Sequence, residues 1–194
     1  MSPTVLYFAD YEPDAHGVPL PELAVRRADP ADLPVCAALM AEREGDDQAA
    51  WLDRLQFWSA AGQQLFVAEL GGRVIGCARL SWLTPGAEGG RNAPDGWYLN
   101  GIVVARGFRR RGLGRALTLA RCRWVWEQGG RVYFVVNARN RASIDLHREV
   151  GFRELTRDFV VPGVTFTGGE GILFSADASG QGQQVTELRV RAAG

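Results

Sequence analysis

The chain has 194 residues, a formal net charge of +0, 46% hydrophobic residues and 23% charged residues. This is ordinary globular composition, and the length suffices to bury a core without disulfide or metal staples. Balanced charge argues against a dedicated nucleic-acid binder or a polybasic membrane protein, and no apolar run approaches the ~20 residues of a bilayer span. The basic residues are all arginine. Without lysine, the Walker A phosphate loop, lysine Schiff bases and pyridoxal chemistry are excluded. Cys36, Cys77 and Cys122 are odd in number, lack CxxC spacing and sit in apolar patterns, so they read as reduced, buried residues of a cytoplasmic protein. His16 and His147 belong to no HExxH or Cys/His cluster, so no metal site is expected. The first residues carry no basic stretch followed by an apolar one, and no signal peptide is expected.

Residues 1–21 are rich in proline and read as an N-terminal arm. A short strand over 23–28 is followed by Asp29-Pro30, a helix-start signal. Leu33, Cys36, Ala37 and Met40 recur at helical spacing, giving a first helix to about Arg43. A break at residues 44–47 precedes a second helix marked by Trp51, Leu55 and Trp58, closed by Gly62. Residues 65–70 and 73–83 read as two strands joined by the tight turn Gly71-Gly72. A Gly-rich loop over 85–94 leads to an apolar strand over 97–104 and a Gly/Arg turn over 107–114. Leu113, Leu117, Ala120 and Trp124 then give a helical stripe up to Gln128. Residues 132–136 form a continuous apolar strand, 142–150 a short helix, and 152–161 with 171–176 a closing antiparallel pair. From residue 177 to 194 the chain is rich in Gly, Gln and Ser and reads as a mobile tail. Strands outnumber helices and meet in hairpins as often as in crossovers, which favours an α+β fold with a mixed, mostly antiparallel sheet over residues 22–176.

The most informative segment is the turn Arg109-Arg110-Arg111-Gly112-Leu113-Gly114-Arg115, between an apolar strand and a helix. The first amides of a helix lack intrahelical partners and lie at the positive end of its dipole. Glycines let an anion approach the backbone, and flanking arginines add charge and bidentate donors, which makes a pyrophosphate cradle. The dinucleotide fingerprint GxGxxG fails at Leu117, and the next strand ends at Asn137 rather than at a ribose-binding acid.

The pattern Arg109-x-x-Gly112-x-Gly114 resembles the hallmark of the GNAT superfamily of acyl-CoA N-acyltransferases. A second element agrees: Asn140-x-x-Ser143-x-x-Leu146-His147-x-x-x-Gly151-Phe152 is similar to the family's later helix. The resemblance implies an acetyl-CoA-dependent N-acetyltransferase acting on a primary amine of a small molecule or short peptide. It implies that Ile102, Val103 and Val104 offer backbone groups to the pantetheine arm, and that Arg109, Arg110, Arg111, Gly112, Leu113, Gly114 and Arg115 hold the pyrophosphate. Asn140 would bind the CoA arm with Ser143 nearby, and the thioester would enter between the strands ending at Val104 and Val136. A homodimer is compatible with it. A CoA-binding module that has lost catalysis is the alternative, and a basic-turn nucleic-acid binder a third.

Acyl transfer needs a neutral amine, a polarised thioester carbonyl and a protonated leaving sulfur. A backbone N–H near Val104 is the expected carbonyl donor. The family often places a tyrosine on the late helix to protonate the sulfur; here His147 stands there, and its unperturbed pKa of ~6.5 suits proton transfer near neutrality. The strand before the turn carries no acid, and Val135 stands where ribosomal-protein-type relatives carry a glutamate. Asp95, Glu170, Tyr98 and a water held by Asn100 are the candidate bases. Glu42, Glu44, Asp46 and Asp47 read as a solvated loop or an acidic lip for a cationic acceptor. Trp58, Trp82, Trp97 and Tyr98 are candidates for an aromatic wall, although helix spacing also places Trp51, Trp58 and Trp124 in the core.

Overall fold

The computed structural model describes residues 11, 17–18, 20–44, 47–86, 91–166, 168 and 170–179. Its elements are β1 (Ala24–Arg27), α1 (Leu33–Glu44), α2 (Gln48–Ala60), β2 (Gln64–Leu70), β3 (Arg73–Leu83), β4 (Gly96–Val104), α3 (Leu113–Trp126), β5 (Val132–Asn137), α4 (Arg141–Glu149), β6 (Arg153–Thr156) and β7 (Gly171–Ala176). This is the order read from the sequence. The expected arm (1–21) and tail (177–194) fall largely outside the described residues, as do Asp46 and residues 87–90 of the Gly-rich loop.

The strands form one seven-stranded sheet in the order β1-β2-β3-β4-β5-β7-β6. Every junction is antiparallel except β4–β5. Local chemistry sets the connections. Asp47 caps α2 by accepting from the Ala49 and Ala50 amides, which satisfies donors that the helix leaves open. Gly71 and Gly72 carry positive φ of 56° and 76°, as a two-residue hairpin between right-twisted strands requires. The strand expected over 152–161 is shorter. Its register slips between Glu154 and Thr156, Arg157 turns to pair with Glu154 and Glu170, and Val160 bridges to Asn92 instead.

One sheet face carries α3 and α4 over a core that includes Leu80, Leu99, Leu113, Leu117, Phe134 and Phe174. The opposite face is divided. α1 and α2 cover Val67, Val74, Cys77 and Val103, while Tyr98, Val161 and Leu173 form a separate cluster with Tyr133 and Val135. The second cluster straddles the seam between β4 and β5, with Tyr98 on one strand and Tyr133 and Val135 on the other.

That seam is opened by a bulge. Ala78 pairs with Ile102 and Arg79 with Asn100, so Gly101 has no partner on β3. Beneath it lies Arg121 of α3, which is fully buried and has no carboxylate partner among the described residues. Its Nη1 donates to the carbonyls of Arg79 (2.7 Å) and Asn100 (2.8 Å). Its Nε donates to the Leu117 carbonyl at 3.1 Å and its Nη2 to the Thr118 hydroxyl at 3.3 Å. One side chain therefore ties α3 to β3 and β4 at the disrupted rung, where ladder hydrogen bonds are lost. A buried guanidinium is tolerated because oxygens surround it.

Arg121→Ala should destabilise the protein by roughly 2–5 kcal/mol, because it orphans two buried strand carbonyls and leaves a void. Urea unfolding measures this, and an unchanged midpoint would show that Arg121 does not hold the bulge.

Candidate active site

β4 and β5 pair only at Trp97 with Val132 and at Tyr98 with Tyr133. From Leu99 onward, the β4 edge that would continue that pairing is open, while β5 stays paired to β7 through Asn137. Two carbonyls mark the open edge. The Ile102 carbonyl accepts from Arg43 Nη1 at 2.7 Å, and the Val104 carbonyl accepts from Arg109 Nε at 3.3 Å. The Val103 carbonyl lies over Gly76, on the β3 side. Of the three residues expected along this edge, Ile102 and Val104 therefore turn carbonyls to the gap and Val103 turns its own away. A ligand running along β4 as an added strand must exchange the two arginine donors for its own N–H groups. Arg43 was not singled out from the sequence. Its position in the last turn of α1 gives no hint that it reaches a strand 59 residues away.

The open edge leads into the Gly/Arg turn. A short 3-10 turn over Arg106–Phe108 precedes Arg109, Arg110 takes φ 63°, and Gly112 caps α3 at φ 84° with no side-chain cap. A left-handed arginine is uncommon, and strain of this kind concentrates where a loop serves a ligand. The helical ladder starts with the Ala116 amide on the Gly112 carbonyl, so the amides of Leu113, Gly114 and Arg115 precede it. Arg109, Arg110, Arg111 and Arg115 are exposed around this end. Gly17 meets the same turn, its N–H donating to the Arg110 carbonyl at 2.8 Å. A Cβ on Gly114 would lie 3.4 Å from Leu146, so the missing side chain brings α4 against the start of α3.

Asn140, Ser143 and His147 form a chain along α4. Asn140 caps the helix through Oδ1 to the Ser143 amide at 3.2 Å, and the Ser143 carbonyl accepts from His147 Nδ1 at 2.7 Å. A carbonyl only accepts, so Nδ1 bears the proton and Nε2 a lone pair. His147 is 2% exposed. It stacks on Phe134 at 3.6 Å and meets Phe152 edge-on, and Nε2 is buried without a partner. Burial pulls its pKa down to about 3, and the nearby Arg121 charge pulls the same way. The resting imidazole is thus a neutral acceptor beside the first β5 residue beyond the last β4 pair. The sequence showed a helical histidine; its neutrality comes from a pocket built by β5 and the residues after α4.

The other candidates are dispersed. Tyr98 is buried, its hydroxyl donates to the Pro94 carbonyl at 2.6 Å, and burial raises its pKa above the usual phenol value, which disfavours it as a base. Glu170 pairs with Arg157. Asn100 donates to the Ser81 hydroxyl, which donates to Gln63. Glu42 pairs with Arg106, and Glu44 with Arg43. The aromatic side chains do not form one wall. Trp82, Trp97 and Trp124 make an edge-on series, Tyr98 stacks on Tyr133, and Trp58 lies edge-on to Trp51. Cys36, Cys77 and Cys122 are buried free thiols. Among the described residues, no three His, Cys, Asp or Glu side chains are placed to hold a metal, and no helix is long and apolar enough to cross a membrane.

Comparison with known proteins bears on the whole arrangement. The fold matches a putative acetyltransferase from Salmonella typhimurium, solved with its cofactor acetyl-CoA, with a TM-score of 0.60 at 19% identity over 80% of this chain and 94% of that one. It also matches a protein from Corynebacterium glutamicum described as "histone acetyltransferase HPA2 and related acetyltransferase", with a TM-score of 0.61 at 16% identity over 80% and 96% of the two chains. A mycothiol acetyltransferase from Amycolatopsis mediterranei is 33% identical over 110 residues, which are 55% of this chain and 33% of the relative. The chain thus spans about a third of the length of that relative. Residues 33–152, which hold the open edge, the Gly/Arg turn and His147, match the acetyltransferase (GNAT) family, and the chain belongs to that family.

Proposed function

We propose that this chain transfers the acetyl group of acetyl-CoA to a primary amine of a small molecule or short peptide, by direct attack in a ternary complex. The observation that carries the reading is the continuous path from the β4 edge, open beyond Tyr98, to the free amides that begin α3. The amides of residues 112–115 and the exposed arginines around them suit a pyrophosphate. Ile102 and Val104 suit an extended, amide-bearing arm, with Asn140 and Ser143 on the α4 side. Acetyl-CoA supplies the activated acyl group. The mycothiol acetyltransferase likeness supports acyl transfer, without fixing the acceptor.

His147 is assigned a relay. Nε2 takes a proton from the attacking nitrogen, and the imidazolium, destabilised by its apolar pocket, passes that proton to the departing sulfur. The first step draws on the acceptor lone pair of Nε2, which a pKa near 3 makes a weak base, so the imidazolium is short-lived and its high acidity serves the second step. Neither β4 nor β5 carries an acid, which favours a CoA-binding module without turnover as the second reading.

A thiol-release assay against an amine panel decides between the readings: acetylation of any amine supports the first, and CoA binding with no turnover across the panel supports the second. Gly114→Asp should weaken CoA binding about 100-fold, roughly 3 kcal/mol, because a carboxylate enters the anion cradle. Calorimetry checks this with Gly114→Ala as the control for the Leu146 contact, and unchanged affinity in folded Gly114→Asp would refute the cradle.

The neutrality of His147 has its own test. Its pKa is about 3 in the fold against ~6.5 unfolded, so between these values the unfolded chain binds the extra proton. Its contribution is therefore fully present above about pH 6.5 and is lost progressively as the pH falls toward 3. His147→Phe should flatten this acid limb in urea unfolding and lower turnover far more than CoA affinity. Parallel acid limbs in the two proteins would contradict a buried neutral imidazole.

A further inference from the structure

On the sheet face covered by α1 and α2, Arg79 of β3 stands opposite Asn100, next to the Gly101 bulge. Its guanidinium lies 3.6 Å over the Trp58 ring. Among the described residues it meets no carboxylate, and its side chain makes no hydrogen bond. The group is largely withdrawn from water, and burial lowers its pKa to about 10, so it stays cationic at neutral pH. A cation in this position bears a desolvation cost that, among the described residues, only the Trp58 ring offsets.

Arg79 forms part of the wall of a cavity of about 120 Å³, with Arg27, Asp29, Trp58, Gln63 and Gln64; the Asp29 carboxylate is paired with Arg26. Side chains link the cavity to β4. Asn100 donates to Ser81 and Ser81 to Gln63, so a hydrogen-bonded chain runs from the root of the β4–β5 gap to the cavity wall. Neighbouring strands lie ~4.8 Å apart, which puts the Arg79 backbone about one strand spacing from the bulge. Stacking on Trp58 covers one guanidinium face and leaves the N–H fork to bind in its plane, the geometry that receives a carboxylate.

We infer that this cavity is the anion subsite of the acceptor, with Arg79 binding a carboxylate carried by the same molecule as the attacking amine. The inference rests on the acetyl-transfer reading and narrows it to aminocarboxylates, such as amino acids or short peptides with a free C-terminus. Other features fit this polarity. The described carboxylates at the end of α1, Glu42 and Glu44, are paired with Arg106 and Arg43, and Asp47 caps α2. A cation beside the acceptor also favours the free-base amine, the form that attacks.

The test uses the full chain and matched acceptors, amino acids and their decarboxylated amines, assayed by mass shift with acetyl-CoA. CoA affinity is measured by calorimetry in the same preparations. The expected result is a KM at least tenfold lower for the carboxylate member of a pair, and a collapse of that difference in Arg79→Gln with CoA affinity within twofold of wild type. Arg79→Lys, which keeps the charge and loses the fork, should fall between. Equal KM values within every pair, or a carboxylate preference that survives Arg79→Gln, would overturn the inference. Failure of CoA to bind would instead sink the acetyl-transfer reading. In that event, or with no turnover, calorimetric titration with the N-acetyl amino acids decides the subsite: binding lost in Arg79→Gln supports it, and no binding by wild type overturns it.

Discussion

The separation of β4 from β5 after two residue pairs is the constraint on which the site depends. A parallel pair buried in a sheet ordinarily continues its ladder, because unpaired backbone groups carry a desolvation cost. Here the bulge at Gly101 shifts the register of β4 against β3, and Arg121 takes up the carbonyls on either side of the disturbance. Further along, Arg43 and Arg109 cover the Ile102 and Val104 carbonyls. These two carbonyls of the open edge are thus satisfied by side chains rather than by another strand. Guanidinium groups suit the task because each projects several donors in a rigid fork.

The same constraint organises the polarity of the site. Arg121 is a buried cation at the root of the gap, and His147 beside it is kept neutral mainly by burial. The amides of Leu113, Gly114 and Arg115, which precede the helical ladder, lie at the far end of the open edge, at the start of α3. Arg79 lies on the other side of the sheet, next to the same bulge. The groups proposed for phosphate, proton and acceptor thus lie on three different elements, α3, α4 and β3, around one irregularity in β4.

Much of this was legible in the sequence. Hydrophobic periodicity and Gly/Pro punctuation gave the element order, and the turn from Arg109 to Arg115 was readable because its chemistry is local: a strand end, two glycines and the first amides of a helix. What was hidden is non-local. The helix stripe read as Leu113, Leu117, Ala120 and Trp124, whereas the buried residues are Leu113, Leu117, Thr118, Arg121, Cys122 and Val125, with Ala120 and Trp124 half-buried. An arginine four residues beyond Leu117 on an apolar face was the available signal for the clamp. Arg79 alternates with Cys77 and Ser81 along a strand that is otherwise largely buried, a similar signal. The neutrality of His147 had none, since it depends on Phe134 and Phe152 packing around the ring.

Amide hydrogen exchange with and without coenzyme A tests the account most directly. Slower exchange at Ile102, Val104, Leu113, Gly114 and Arg115 on binding is the predicted result, since these amides line the path from the open edge to the turn. Binding that protects other segments and leaves these five amides unchanged would contradict it.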